Sequence, residues 1–175
     1  MPPFTPPAFL TVAETEHWII NHRVDSSLPG YFMVGSRLET NELSDLSENA
    51  LCELGLHLSK LQQILTELFK PLHFYVGRYG HMAGHSVHFH VIPIYDWVAQ
   101  AFARDERYRV FHQFYTSGVY EDGSDASFDG AEMTLYVWRE FCESLTPPQA
   151  VGPSVQEIVE QVRGKLSGSN PSLET

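Results

Sequence analysis

Histidine is concentrated in one short stretch of this chain. Four of its nine histidines, His81, His85, His88 and His90, fall within ten residues. Alternate residues of a β-strand face the same way, so a strand here would place Ser86, His88 and His90 on one face. Neutral imidazole attacks electrophiles and transfers protons readily near pH 7. The pair His88 and His90 therefore suits a nucleophile and its helper, with phosphorus as a plausible target.

Two other interpretations of these histidines stay open. They could be ordinary structural histidines, or His85, His88 and His90 could bind a transition metal. The spacing H-x-x-H-x-H resembles part of a cupin metal motif, but such a site needs a glutamate a few residues later, where Ile94 and Tyr95 stand. We therefore expect no metal site.

Turn signals and apolar periodicity predict the elements around the cluster. Residues 16–21 and 31–36 are β-prone runs separated by a polar Pro-Gly stretch. Leucines then recur at alternating gaps of three and four, which predicts a helix of about 20 residues, with Ser47 as its N-cap and Pro71 as its stop. Residues 73–80 and 86–93 form two further β-prone runs joined by a Gly-rich turn, and they predict a hairpin.

The C-terminal third of the chain has a helical pattern. A short helix is predicted from Asp96, and capping-box pairs open two more helices: Asp129 with Glu132, and Ser154 with Glu157. We expect three parts: a catalytic domain over 1–110, a helical extension packed on it over 111–150, and a short helix with a flexible tail over 151–175.

Composition limits the class of protein. The 175 residues are 43% hydrophobic and 19% charged, which indicates a folded domain. Eleven basic against 22 acidic residues give a net charge of −11, so we expect no nucleic-acid partner. The two cysteines fit no disulfide or zinc pattern, and no signal peptide or long apolar run is seen. A cytoplasmic protein that does not contact membranes is expected.

The stretch SVHFHVIP, residues 86–93, resembles the H-x-H-x-H signature of the histidine triad (HIT) nucleotide hydrolases and transferases. The order of elements from about Glu14 to Trp97 is also similar to that family, and most similar to its bacterial diadenosine tetraphosphate hydrolase-like members. The resemblance implies an α+β fold with an antiparallel sheet of about five strands, one long helix packed on it and C-terminal helices. It also implies a homodimer that binds a small-molecule nucleotide.

The same resemblance implies catalytic roles. His88 matches the histidine that attacks the α-phosphate to form a nucleotidyl-histidine intermediate, and His90 matches the histidine that stabilises the phosphate charge. Ser86 stands where the family has its first histidine, and its main-chain carbonyl could still hold the ring of His88. The resemblance also implies an apolar slot for the base, with Phe9, Ile19 and Met33 as lining candidates.

Further positions depart from the family pattern. Tyr31 stands where most relatives have a histidine, and Arg23 fills the position that contacts the ribose, a task that could pass to Asp25 or Asn21 nearby. Arg78 lies near the position of a phosphate-binding glutamine, and its guanidinium could clamp a polyphosphate. His85 is one residue out of step with the signature. The substrate-binding candidates are Arg78, Arg23, Asp25, His85 and Tyr31.

The function expected from these residues is hydrolysis of a phosphoanhydride in a diadenosine polyphosphate-like substrate. A nucleoside phosphoramidate hydrolase is the nearest enzymatic alternative, and a nucleotide-binding protein without turnover is the alternative outside the enzymes. No obligatory cofactor is expected, although Mg²⁺ can accompany the nucleotide.

Overall fold

The computed structural model describes residues 5–80, 85–108 and 130–168. Its centre is a five-stranded antiparallel sheet with the strand order β1-β2-β3-β5-β4. The strands are β1 (Thr11–Glu14), β2 (Trp18–His22), β3 (Phe32–Ser36), β4 (His73–Gly77) and β5 (His88–Ile94). Because β4 and β5 are adjacent and antiparallel, the predicted hairpin is confirmed.

The long helix α1 (Glu48–Phe69) has well-defined ends. The Ser47 side chain accepts a hydrogen bond from the backbone N–H of Ala50, which satisfies one of the free donors of the first turn. Lys70 ends the helix in a left-handed conformation with φ of 49°, directly before Pro71. The predicted cap and stop are both confirmed.

Two hydrophobic cores lie on opposite faces of the sheet. One packs α1 and a C-terminal helix, α4 (Val155–Gly168), against side chains that include Ile20, Val34 and Val91. α4 begins at the predicted capping box, where Ser154 and Glu157 bond each other reciprocally.

The second core lies on the opposite face of the sheet and covers one end of that face. It packs α2 (Asp96–Arg104) and α3 (Gly130–Trp138) against Ile92 and Ile94 of β5. A π-helical turn, Arg139–Glu143, follows α3. Its buried Glu140 accepts hydrogen bonds from Tyr108 and Arg107, at 2.9 and 2.8 Å, and ties this end to the short 3₁₀ turn Glu106–Tyr108.

The predicted α+β class, the sheet and the long helix are confirmed. Strand β1 was not located from the sequence, since it follows a Pro-rich segment with no alternation. The predicted cap Asp129 lies outside the described residues, and the division into three parts stays a prediction. Within the described ranges, no helix is long and apolar enough to cross a membrane.

Replacing Ser47 by Ala should lower the free energy of unfolding by about 1 kcal/mol, because the N-cap acceptor is lost. Urea unfolding measures the change. Ser59→Ala is the matched control, since Ser59 is exposed in the middle of the same helix. Equal effects of the two substitutions would contradict the capping role.

Candidate active site

His88 and His90 project from β5 on the face opposite to Phe89 and Val91, which pack with the α1 core. Their ring centroids are 5.2 Å apart. In the neighbouring strand β3, Gly35 pairs with His88 and Met33 pairs with His90. The alternation predicted from the sequence is therefore present, although the strand begins at His88 and not at Ser86.

The His88 ring is held by the main chain. Its Nδ1 lies 2.8 Å from the carbonyl oxygen of Ser86, the contact expected from the sequence. A carbonyl only accepts, so Nδ1 carries the ring proton and Nε2 keeps its lone pair. Burial lowers the pKa of His88, and the nearby His85 and Arg78 lower it further, against the opposing effect of the Ser86 carbonyl. His88 is therefore neutral near pH 7 and has a nucleophilic Nε2.

The backbone of Gly80 lies beside this nitrogen. A Cβ atom at position 80 would come within 2.9 Å of Cε1 and 3.0 Å of Nε2 of His88. Such a contact is closer than carbon and nitrogen atoms normally approach without bonding. Glycine at this position therefore keeps the space next to Nε2 free of a side chain.

His90 is only 4% exposed and is enclosed by aromatic rings. Its Nδ1 lies 2.9 Å from the hydroxyl of Tyr31, and its ring centroid is 5.2 Å from that of Tyr79. The indole of Trp138, from the end of α3, stacks on it at 6.3 Å and 27°. Burial, followed by the neighbouring His88 and Arg23, lowers the pKa of His90 to about 3, so this ring is also neutral.

Arg23 is a buried part of the site. Its side chain is 11% exposed, and its Nε and Nη2 donate to the two oxygens of Asp25 at 2.5 and 3.0 Å. Its Nη1 donates to the hydroxyl of Tyr31 at 2.9 Å, and its guanidinium carbon lies 4.7 Å from the centre of a Trp138 ring. Burial alone would raise the pKa of Asp25, but the bonds from Arg23 lower it overall. The site thus contains an ion pair beside two neutral imidazoles.

The loop that carries Arg23 and Asp25 is anchored on both sides. The ring nitrogens of buried His22 lie 2.9 and 3.0 Å from the carbonyl oxygens of Arg23 and Leu28. The backbone N–H and the hydroxyl of Ser27 both donate to the carbonyl of Phe141, in the turn after α3. The position of Arg23 therefore depends on the C-terminal helices as well as on the sheet.

The structure shows the partners of several predicted substrate-binding residues. Tyr31 is 1% exposed and bonded to His90 and Arg23. Arg23 and Asp25 bond each other. The substrate contacts predicted for these three residues stay predictions.

Arg78 and His85 lie around His88. Nη2 of Arg78 donates to the carbonyl of Asn41, so this side chain is tied to a neighbouring loop, and its predicted contact with a polyphosphate stays a prediction. Its charge still lowers the pKa of His88. The ring of His85 lies 6.3 Å from that of His88, on the same side of the sheet despite its shift in the signature.

Sequence reasoning missed Trp138 and Tyr79, two of the three aromatic rings that enclose His90. Nothing local singles them out, because their role depends on how α3 packs against the sheet; the Gly-rich setting of Tyr79 was the available signal. Of the predicted slot residues, Ile19 and Met33 are half-buried, and their strand positions place them on the histidine face. Phe9 is 72% exposed.

No cluster of three or more His, Cys, Asp or Glu residues in the described part of the chain is arranged to hold a metal ion. His85, His88 and His90 do not form such a group, and the expectation of no metal site stays a prediction. The contacts of His88 and His90 are to a carbonyl and a hydroxyl instead.

The low pKa of His90 should make the fold sensitive to acid. Unfolding releases His90 to a pKa near 6.5, so the unfolded chain binds a proton that the folded site excludes, and stability falls as pH drops below 6.5. Between pH 7.5 and 5.5 this one group should remove about 1.4 kcal/mol from the free energy of unfolding. Between these two pH values, the free energy of unfolding of His90→Gln, measured in urea, should fall by that amount less than the free energy of unfolding of the wild type. The control His73→Gln changes an exposed histidine, and its free energy of unfolding should fall as much as that of the wild type. An equal loss in wild type and His90→Gln would contradict the burial effect.

Comparison with known proteins supports the fold. No protein-family model and no curated protein matches the sequence. Among solved structures, the zinc-bound histidine triad family protein of Mycobacterium smegmatis superposes with a TM-score of 0.51 at 12% identity, over 93% of this chain and 86% of that one. The diadenosine triphosphate hydrolase of Plasmodium falciparum matches at 0.46 and 19% identity, over 51% of this chain and 64% of that one.

The C. elegans NitFhit protein matches with a TM-score of 0.48 and 20% identity, over 54% of this chain. The present chain spans only 24% of that longer protein. At 12% identity the M. smegmatis match, with its TM-score of 0.51, concerns architecture alone, which agrees with the sheet order and the long helix described above. This chain has the fold of the histidine triad proteins.

Proposed function

We propose that this protein is a nucleotide hydrolase that cleaves a phosphoanhydride through a covalent nucleotidyl intermediate on His88. The observation that carries the proposal is the 2.8 Å bond from His88 Nδ1 to the Ser86 carbonyl. It leaves the Nε2 lone pair free on a neutral ring, on a rigid strand. This is the state that a nitrogen nucleophile needs.

The reaction has two displacements. In the first, the Nε2 lone pair of His88 forms a bond to the α-phosphorus, and the bond from phosphorus to the bridging oxygen breaks, with its electron pair leaving on the departing phosphate. The Nδ1–H bond to Ser86 supports the positive charge that then develops on the ring. In the second, water attacks phosphorus, the P–N bond breaks and its electrons return to Nε2. A mononucleotide leaves, with the remaining proton passing to solvent.

The substrate class we propose is a diadenosine polyphosphate-like nucleotide. The chain carries a net charge of −11, yet two arginines, Arg23 and Arg78, lie close enough to lower the pKa of His88. They supply a local positive field for a polyphosphate in an otherwise acidic molecule. Gly35, Met33 and Ile19 line the same face of the sheet and leave an apolar surface for a base.

The direct test is mononucleotide release from diadenosine tetraphosphate by wild type and His88→Asn. Loss of the nucleophile should reduce kcat by about 10³-fold or more. His73→Asn, an exposed histidine of the edge strand β4, is the control and should keep wild-type activity. Turnover that survives in His88→Asn would refute the mechanism. Binding without turnover in the wild type would favour a non-catalytic nucleotide-binding protein.

Gly80→Ala should strongly reduce the same activity, because the new Cβ would lie about 3 Å from Nε2 of His88. Steady-state kinetics on the same nucleotide measure the effect. Gly55→Ala is the control: a Cβ there meets nothing within 4 Å, and the change should leave activity intact while stabilising α1. An active Gly80→Ala enzyme would show that Nε2 is approached from elsewhere.

Three further expectations can be tested with the same protein. A rate on a nucleoside phosphoramidate comparable to the rate on diadenosine tetraphosphate would contradict the proposed preference for a phosphoanhydride. Both reactions use the same nucleophile and differ only in the leaving group. Chelator treatment followed by Mg²⁺ addition separates a metal that accompanies the substrate from one the protein needs. The homodimer stays a proposal, to be tested by light scattering of the full chain.

A further inference from the structure

A line of hydrogen bonds runs from the surface to the buried histidine of the site. Asp25 binds Nε and Nη2 of Arg23, Nη1 of Arg23 lies 2.9 Å from the Tyr31 hydroxyl, and that hydroxyl lies 2.9 Å from Nδ1 of His90. We propose that Tyr31 is a positioning residue that locks His90 in the tautomer with its proton on Nε2. The consequence of this tautomer for catalysis rests on the proposed function, but the positioning of the His90 proton by Tyr31 does not.

The direction of each bond follows from which groups can only donate. A guanidinium has no acceptor, so Nη1 of Arg23 must donate to the Tyr31 oxygen. Asp25 occupies the other edge of the guanidinium, which fixes the orientation of Nη1 towards Tyr31. The single proton of the Tyr31 hydroxyl is then free to be donated onward.

That proton has one evident acceptor. Tyr31 is 1% exposed, so water does not compete, and its hydroxyl contacts Nδ1 of His90. If Nδ1 of His90 carried the ring proton instead, the Tyr31 oxygen would accept hydrogen bonds from both Arg23 and His90. The hydroxyl proton of Tyr31 would then be buried and could no longer be donated to Nδ1. A doubly protonated ring is disfavoured as well, because burial and the nearby positive groups hold the pKa of His90 at about 3. The arrangement that satisfies every group has the proton of His90 on Nε2.

The two histidines then have opposite ring polarity. The Ser86 carbonyl keeps the proton of His88 on Nδ1, whereas Tyr31 keeps the proton of His90 on Nε2. One ring offers a lone pair and its neighbour, 5.2 Å away, offers an N–H donor. In the proposed reaction His90 therefore donates to a phosphate oxygen and does not act as a base. Tyrosine at position 31 thus places a hydroxyl donor at Nδ1 of His90.

Nitrogen NMR of the histidine rings tests the lock without any substrate. The full chain is labelled with ¹⁵N-histidine, and the His90 signals are assigned by their loss in His90→Gln. We expect wild type to show the Nε2–H tautomer at pH 7.5. Tyr31→Phe, which removes one hydroxyl from a similar ring, should show a mixture of tautomers or the Nδ1–H form.

Tyr79→Phe is the matched control, because Tyr79 also contacts the His90 ring but does so through its aromatic face or edge. It should leave the His90 tautomer unchanged. An Nδ1–H tautomer in the wild type, or an unchanged tautomer in Tyr31→Phe, would overturn the proposal. Tyr31→His, which restores a ring donor, should return the Nε2–H form.

Kinetics give a second readout. Tyr31→Phe should lower kcat by about tenfold or more with little change in KM, and Tyr31→His should recover part of the loss. The two proposals can fail separately. A wild-type protein with the expected tautomer but no hydrolysis refutes the proposed function alone. An active protein with the other tautomer refutes the lock alone.

Discussion

Side chains alternate along β5, and this alternation is the constraint on which the rest of the site depends. Phe89 and Val91 must face the core beneath α1, so His88 and His90 must face the other way. A shift of one residue would bury two imidazoles against leucine side chains. The requirement for a dry core on one side therefore places both rings on the other side, 5.2 Å apart.

Burial acts on the two histidines to different degrees. His88 is partly exposed and keeps its Nε2 beside the backbone of Gly80. His90 is enclosed by Tyr31, Tyr79 and Trp138, and its charged form is strongly disfavoured. The nearby charge of Arg23 is kept in place by Asp25 and by the face of Trp138. The result is a neutral pair of imidazoles held next to the Arg23–Asp25 ion pair.

The C-terminal helices belong to the site as well as to the core. Trp138 covers His90 and Arg23, and Phe141, three residues later, accepts the bonds that hold the Arg23 loop. Movement of α3 would therefore change the solvation of His90 and the position of the ion pair together. This dependence explains why the site cannot be understood from the histidine signature alone.

Much of this architecture follows from local patterns. The leucine spacing and the Ser47 cap predicted α1 because both signals lie within one element, and the alternation at His88 and His90 did the same for β5. The roles of Arg23, Tyr31 and Arg78 could not be predicted in this way. Each depends on a partner far along the chain, such as His90 for Tyr31 or the Asn41 carbonyl for Arg78. Trp138 is separated from His90 by 48 positions, and only packing brings them together.

In the proposed mechanism, His88 becomes covalently bonded to the nucleotide. The most direct measurement is the stereochemistry at the α-phosphorus, followed with a chiral α-thiophosphate substrate and hydrolysis in labelled water. Two successive in-line displacements each invert the phosphorus, so the account predicts net retention of configuration. Net inversion would mean that water attacks the substrate directly and would contradict a nucleotidyl-His88 intermediate.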